Sequence, residues 1–271
     1  MINKGIGISV FQNRSFEAGI VKQDNLDGKK IISLVCSDRP QYFKQSIEAL
    51  LKCEGIEKYG LIVNQDMQNS EMDSLIEKID IPLVWYKNRS MHSSTIPSLM
   101  DDGFGCAGNV FSAVYRGFEV FNKEEMIILE DDVVPSPDFL KYFEFCFPIA
   151  KKEKEFFTIS SYIRSLDDKR IEDVASQQWF FSWGWGVWRE IWDEIKWDWD
   201  FGYEHGGWDQ NLNHRLRKDR WTISPWVSRS QNIGEMGVHV PSPEWHHENQ
   251  WVPVVSSGQY TSYKYIGHRE I

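Results

Sequence analysis

The segment Met126-Ile127-Ile128-Leu129-Glu130-Asp131-Asp132 runs an apolar stretch directly into carboxylates. Short apolar runs of this kind read as buried strands. Successive strand side chains alternate faces, so Glu130 and Asp132 are expected on one side and Asp131 on the other. Like charges so close repel, and a cation, a hydrogen-bonded sugar or solvent must offset them. Hard carboxylate oxygens suit Mg²⁺ or Mn²⁺, which commonly bind through a few carboxylates plus substrate phosphates. A solvated acidic turn is the plainer alternative. Arg39 precedes Pro40. It must therefore be extended or turn-like, which places it at the carboxyl end of the strand before it. Asp66 follows a second apolar run and either caps the next turn or faces a ligand. Asp209, after Gly206-Gly207-Trp208, sits near a predicted helix start. A carboxylate there either complements the helix dipole or acts as a base.

The elements that must position these groups alternate. Strands are predicted at 31–36, 60–63, 81–86 and 126–129. A helix opens at Pro40 and carries Phe43, Ile47, Leu50 and Leu51 at helical spacing. Further helices are predicted at 71–78 and 107–121, and one opens at Ser136-Pro137-Asp138, with Ser136 as cap. Beyond it, strands are expected at 156–160 and 178–181, and a helix at 208–218. An added strand at 6–11 is the reading of the N-terminal stretch. Strand–helix alternation implies a mostly parallel sheet with helices on both faces and ligands at the carboxyl strand ends. Neither a GxGxxG fingerprint nor a GxxxxGK[ST] loop occurs.

The 271 residues suit one large domain or two intimate ones. Lys+Arg 30 against Asp+Glu 40 gives a net charge of −10, which argues against a nucleic-acid phosphate binder. No apolar run reaches the roughly 18–20 residues of a membrane span, and no signal-peptide pattern opens the chain. The expectation is a cytoplasmic protein, with peripheral membrane contact open. The four cysteines are far apart and read as free thiols. Of the 13 Trp, only Trp85 precedes residue 179. Aromatic faces suit the C–H face of a pyranose, and Trp185 and Trp208 are the candidates for sugar contact; most of the others are expected in the core.

The pattern Ile128-Leu129-Glu130-Asp131-Asp132 with Pro137-Asp138-Phe139 and Tyr142-Phe143 resembles the acidic signature of the glycosyltransferases related to N-acetylglucosaminyltransferase I. The likeness continues in order through Ser37-Asp38-Arg39, Asn64-Gln65-Asp66, Phe180-Phe181-Ser182-Trp183-Gly184-Trp185-Gly186, Trp208-Asp209 and the segment 227–239. It implies a single GT-A domain over 1–271, a Rossmann-like α/β fold, with a nucleotide-sugar half at 31–135 and an acceptor half at 156–251. It also implies an inverting, metal-dependent transfer from a UDP-sugar to a hydroxyl of a glycan or lipid-linked glycan. By resemblance, Asp132 holds Mn²⁺ or Mg²⁺, Asp131 faces ribose or a water, and Glu130 faces the donor sugar. Arg39 contacts the nucleotide, Asp66 the uracil edge, Trp185 and Trp208 the sugar, and Asp209 is the base, with Glu204 its rival. The segment 228–239 is expected to be a donor-closing lid; His239 is a candidate for the metal or diphosphate. His246-His247 and Lys87 with Arg89 are expected at the surface. A nucleotidyltransferase, a noncatalytic carbohydrate-binding protein and a glycosidase are the rival readings.

Overall fold

β-Branched runs become strands here because their stiff side chains fit a pleated, buried surface. The computed structural model describes residues 17–89, 104–201, 206–237, 240–256 and 262–269. The strands are β1 (Glu17–Gln23), β2 (Lys30–Cys36), β3 (Tyr59–Gln65), β4 (Leu83–Arg89), β5 (Glu125–Glu130), β6 (Val133–Pro135), β7 (Phe156–Ser160), β8 (Asp173–Gln177), β9 (Trp185–Trp188), β10 (Trp221–Pro225), β11 (Ser230–Asn232) and β12 (Lys264–His268). The α-helices are α1 (Pro40–Leu50), α2 (Ser70–Ile76), α3 (Gly105–Tyr115), α4 (Phe139–Ala150), α5 (Arg189–Ile195), α6 (Trp208–Asn211) and α7 (Pro243–Gln250).

The chain forms two compact units. The first comprises Met1–Arg39, Lys58–Ile128 and Val187–Lys218. Its strand order is β1-β4-β3-β2-β5. β2 pairs parallel with β3, and β3 with β4, while β1 lies antiparallel along β4. Every residue of β3 is buried, as a central parallel strand requires. Phe111 on α3 meets Trp192, Trp199 and Phe201 at ring distances of 5.3, 5.5 and 5.0 Å. This cluster joins α3 to the stretch from Trp192 to Phe201.

The second unit comprises Pro40–Glu57, Leu129–Gly186 and Asp219–Ile271. Its strand order is β9-β7-β10-β8-β12, with β7–β10 and β8–β12 parallel. β6 and β11 form a separate antiparallel pair. α4 buries Phe139, Leu140, Tyr142, Phe143, Cys146 and Phe147. α1 buries Tyr42, Phe43, Ser46, Ile47 and Leu50, while Leu51, expected on the same face, lies just beyond the helix and is half-buried.

Several boundaries differ from the sequence reading. The strand expected at 178–181 is irregular, and the strands nearby are β8 and β9. The third predicted strand runs Leu83–Arg89 instead of 81–86. The helix predicted at 107–121 is α3 followed by a π turn, Arg116–Val120. The one predicted at 208–218 is α6 followed by the π turn Leu212–Leu216. α4 begins at Phe139, and Ser136 does not cap it. Its hydroxyl donates instead to Asp138 Oδ1 at 2.7 Å, because Asp138 is the buried partner of Arg229. The strand expected at 6–11 lies outside the described residues.

Candidate active site

In the second unit, β5 ends at Glu130, and Asp131 and Asp132 form the turn into β6. The strict alternation expected of the triplet therefore stops at Glu130, which is half-buried, while Asp131 and Asp132 are 1% and 8% exposed. The turn is gripped from two directions. From α1, the Ser46 hydroxyl donates to Val133 O at 2.6 Å. From the chain after β11, the Ile233 N–H donates to Asp132 O at 2.8 Å. The next residue, Gly234, lies so close that a Cβ there would sit 2.4 Å from Asp132 Oδ2. Only glycine leaves that carboxylate its position.

The Asp132 carboxylate offers the kind of hard oxygen that a divalent cation such as Mg²⁺ or Mn²⁺ takes. No group of three or more His, Cys, Asp or Glu side chains is arranged to hold a metal among the described residues. A one-carboxylate site that takes its other ligands from substrate phosphate and water needs no such group.

The histidine pair divides. His247 is exposed, but His246 is buried, contrary to the surface position expected. Its Nε2 faces Asn232 Oδ1 at 3.0 Å, and burial holds its pKa below the usual histidine value against the opposing pull of Glu235 and Asp132. The lid expectation for 228–239 also needs correction. Ser228, Arg229 and Ser230 are fully buried, and β11 pairs with β6. Arg229 Nε donates to Asp138 Oδ2 at 3.1 Å, and its other nitrogens donate to Val227 O and Ile171 O. A guanidinium so enclosed ties the segment down. His239 lies outside the described residues.

In the first unit, Arg39 and Asp66 stand at the carboxyl ends of the neighbouring strands β2 and β3. Asp66 N–H donates to Cys36 O at 2.8 Å. The Asp66 carboxylate is buried and accepts the Phe104 N–H at 2.6 Å and the Gly105 N–H at 2.9 Å, at the start of α3. Burial pushes its pKa up to about 6, against those two bonds and the charge of Arg116. Beneath it lies a buried polar web absent from the sequence reading. Arg116 donates to Asn64 Oδ1 at 2.6 Å and Asn88 Oδ1 at 2.8 Å, and lies over the Tyr86 ring. Asn109 Nδ2 donates to Cys36 O at 3.1 Å. The signal was present: Asn109 and Arg116 are large polar residues in a mostly apolar stretch.

Trp208 and Asp209 open α6 after Gly207, whose φ is 108°. Asp209 is half-exposed, and its Oδ2 accepts from Gln210 Nε2 at 3.3 Å. Trp208 is buried and stacks on Trp199 at 5.5 Å, and Trp199 Nε1 donates to Ala107 O. Trp185 is 0% exposed and packs edge-on against Phe180. Both rings expected to stack on sugar are thus enclosed, because β9 and α6 each sit within aromatic clusters. Lys87 pairs with Asp73 at 2.5 Å and lies over Trp85. The side chain of Arg89 and the whole of Glu204 lie outside the described residues.

A large, mostly parallel sheet with an acidic turn at the end of a buried strand defines a GT-A glycosyltransferase fold. Residues 1–349 of S. aureus TarS share it, with a TM-score of 0.51 at 10% identity, over 72% of this chain and 57% of that one. The chain belongs to the GNT-I family, which it matches over residues 10–242. It is 26% identical over 219 residues to the Arabidopsis thaliana alpha-1,3-mannosyl-glycoprotein 2-beta-N-acetylglucosaminyltransferase, covering 76% of this chain and 47% of that protein. The chain therefore spans about half the length of this relative.

Proposed function

We propose that the chain transfers a sugar, N-acetylglucosamine the first candidate, from a UDP-sugar to a hydroxyl of a glycan or lipid-linked glycan, with inversion at the anomeric carbon. The observation that carries this reading is the acidic turn Glu130-Asp131-Asp132 at the end of a buried strand, with Gly234 seated against Asp132. Asp132 would hold Mn²⁺ or Mg²⁺, and a bound ion offsets charge on the departing diphosphate. Asp209, half-exposed and two residues after Gly207, accepts the proton of the acceptor hydroxyl. Arg39 is assigned to the ribose or phosphate. Asp66, ionised above about pH 6, is assigned to the uracil N–H, since each carboxylate oxygen keeps a second lone pair. Glu130 and Asp131 are assigned to the sugar and ribose. Trp208 supports the start of α6, and Trp185 the loop before β9. No helix among the described residues is long and apolar enough to cross a membrane. A lipid-linked acceptor would be met by peripheral contact at a cytoplasmic membrane face.

A screen of UDP-sugars for Mn²⁺-dependent hydrolysis tests the reading. Asp132→Ala is expected to fold and to lose Mn²⁺-dependent UDP binding. Undiminished binding in that variant would remove Asp132 from the role. Absence of UDP binding in the parent chain would favour a glycosidase or a plain sugar binder.

A further inference from the structure

We infer that Asn232 and His246 form a clamp that seats Gly234 against Asp132, and that this clamp sets the affinity of the site for its divalent cation. The inference rests on the reading of Asp132 as the metal-holding carboxylate. Asn232 is the last residue of β11 and His246 lies on α7, and both side chains are buried. Asn232 Oδ1 lies 2.8 Å from the Gly234 N–H and 3.0 Å from His246 Nε2. A backbone N–H can only donate, so the amide oxygen must face it. The same oxygen can take nothing but a second donor, so His246 Nε2 carries the proton. That arrangement satisfies both lone pairs of the amide oxygen.

Each part of the clamp has its own anchor. β11 is paired to β6, Asn232 opposite Val133, immediately beyond the acidic turn. α7 is capped by Ser242, whose Oγ accepts the Trp245 N–H at 3.2 Å, and Pro243 opens its first turn. His246 thus approaches from a fixed helix, and Asn232 from a fixed strand. Between Asn232 and Gly234, Ile233 holds the main chain of Asp132 through its N–H. Gly234 then closes off the space on one side of Asp132 Oδ2. With the loop seated, that side is shut to the carboxylate; without the His246 donor, the loop can lift and the carboxylate can turn. His246 faces Asn232, so it is a positioning residue and not itself a ligand.

Partners that orient a metal-binding carboxylate typically change metal affinity by about 10–100-fold. The test is Mn²⁺ binding to the full chain in the presence of UDP, read from the electron paramagnetic resonance of free Mn²⁺, with thermal melts alongside. His246→Leu is expected to weaken Mn²⁺ binding roughly tenfold or more. His246→Gln, whose amide N–H can donate to Asn232, is expected to restore most of it. The half-saturating Mn²⁺ for UDP-sugar hydrolysis should rise in His246→Leu while kcat at saturating metal stays near that of the parent. Equal Mn²⁺ affinity in parent and His246→Leu would overturn the clamp and leave the metal reading standing. A glutamine variant as weak as the leucine variant would overturn the hydrogen-bond role. Failure of the parent chain to bind Mn²⁺ with UDP would overturn the metal reading and the clamp with it. Should His246→Leu fail to fold, Gly234→Ala carries the test, since its new Cβ collides with the Asp132 carboxylate. Unchanged Mn²⁺ affinity there would also overturn the clamp.

Discussion

Asp66 joins two demands in one carboxylate. It caps the start of α3 through two backbone N–H groups, and it stands at a strand end where a nucleotide base is proposed to bind. The folded pKa of about 6 lies above the ordinary 3.8, so the folded chain holds this proton more tightly than the unfolded chain. The stability from this group is therefore fully present below pH 3.8 and is lost as pH rises towards and through about 6. The loss is on the order of 2–3 kcal/mol at neutral pH. Carbon-13 NMR of the Asp66 carboxyl is expected to titrate near pH 6. In urea denaturation, the parent should lose stability relative to Asp66→Asn between pH 4 and 7. A midpoint at the ordinary aspartate value would mean that water reaches the group freely.

At the scale of elements, Arg229 and Asp138 connect the segment before β11 to the start of α4. Both are buried, and Asp138 also accepts from Ser136 and from the Tyr263 hydroxyl at 2.8 Å. Removing one partner of a buried, hydrogen-bonded pair strands the other charge. Arg229→Ala is expected to destabilise the chain by about 3–5 kcal/mol. Chemical denaturation checks the size, and amide hydrogen exchange checks the place. Exchange in β6 and β11 should accelerate first. In the parent, amides of Ser230–Gly234 should exchange slowly with or without UDP and Mn²⁺, while those of 235–237 slow on their addition. Fast exchange throughout 228–237 without ligand would restore the view of the whole segment as a lid.

For the whole molecule, the proposed single displacement fixes stereochemistry. With Asp209 as base and the acceptor oxygen attacking opposite the departing UDP, a UDP-α-sugar should give a β-linked product. The anomeric coupling constant of the product reads this directly. Asp209→Asn is expected to keep UDP affinity and to lower kcat by about 10²–10⁴-fold, because an amide is a far poorer proton acceptor. An α-linked product would mean retention and a different mechanism.

Much of this protein was legible in local chemistry. Apolar runs at β2, β3 and β5, and the Phe43–Ile47–Leu50 face of α1, carry their own structure, because burial periodicity is a property of neighbours along the chain. The acidic turn was legible for the same reason: Glu130, Asp131 and Asp132 are adjacent. What tertiary structure alone decided lies between residues far apart. Asp138 and Arg229 meet across 91 positions, and Arg116 meets Asn64 across 52. Gly234 sits on Asp132, and His246 reaches Asn232 from a different element. Trp185 and Trp208, each a sugar platform by composition, are buried in the fold, Trp208 stacked on Trp199 and Trp185 edge-on to Phe180. Residue type set what each side chain could do; packing between distant segments decided which groups it faced.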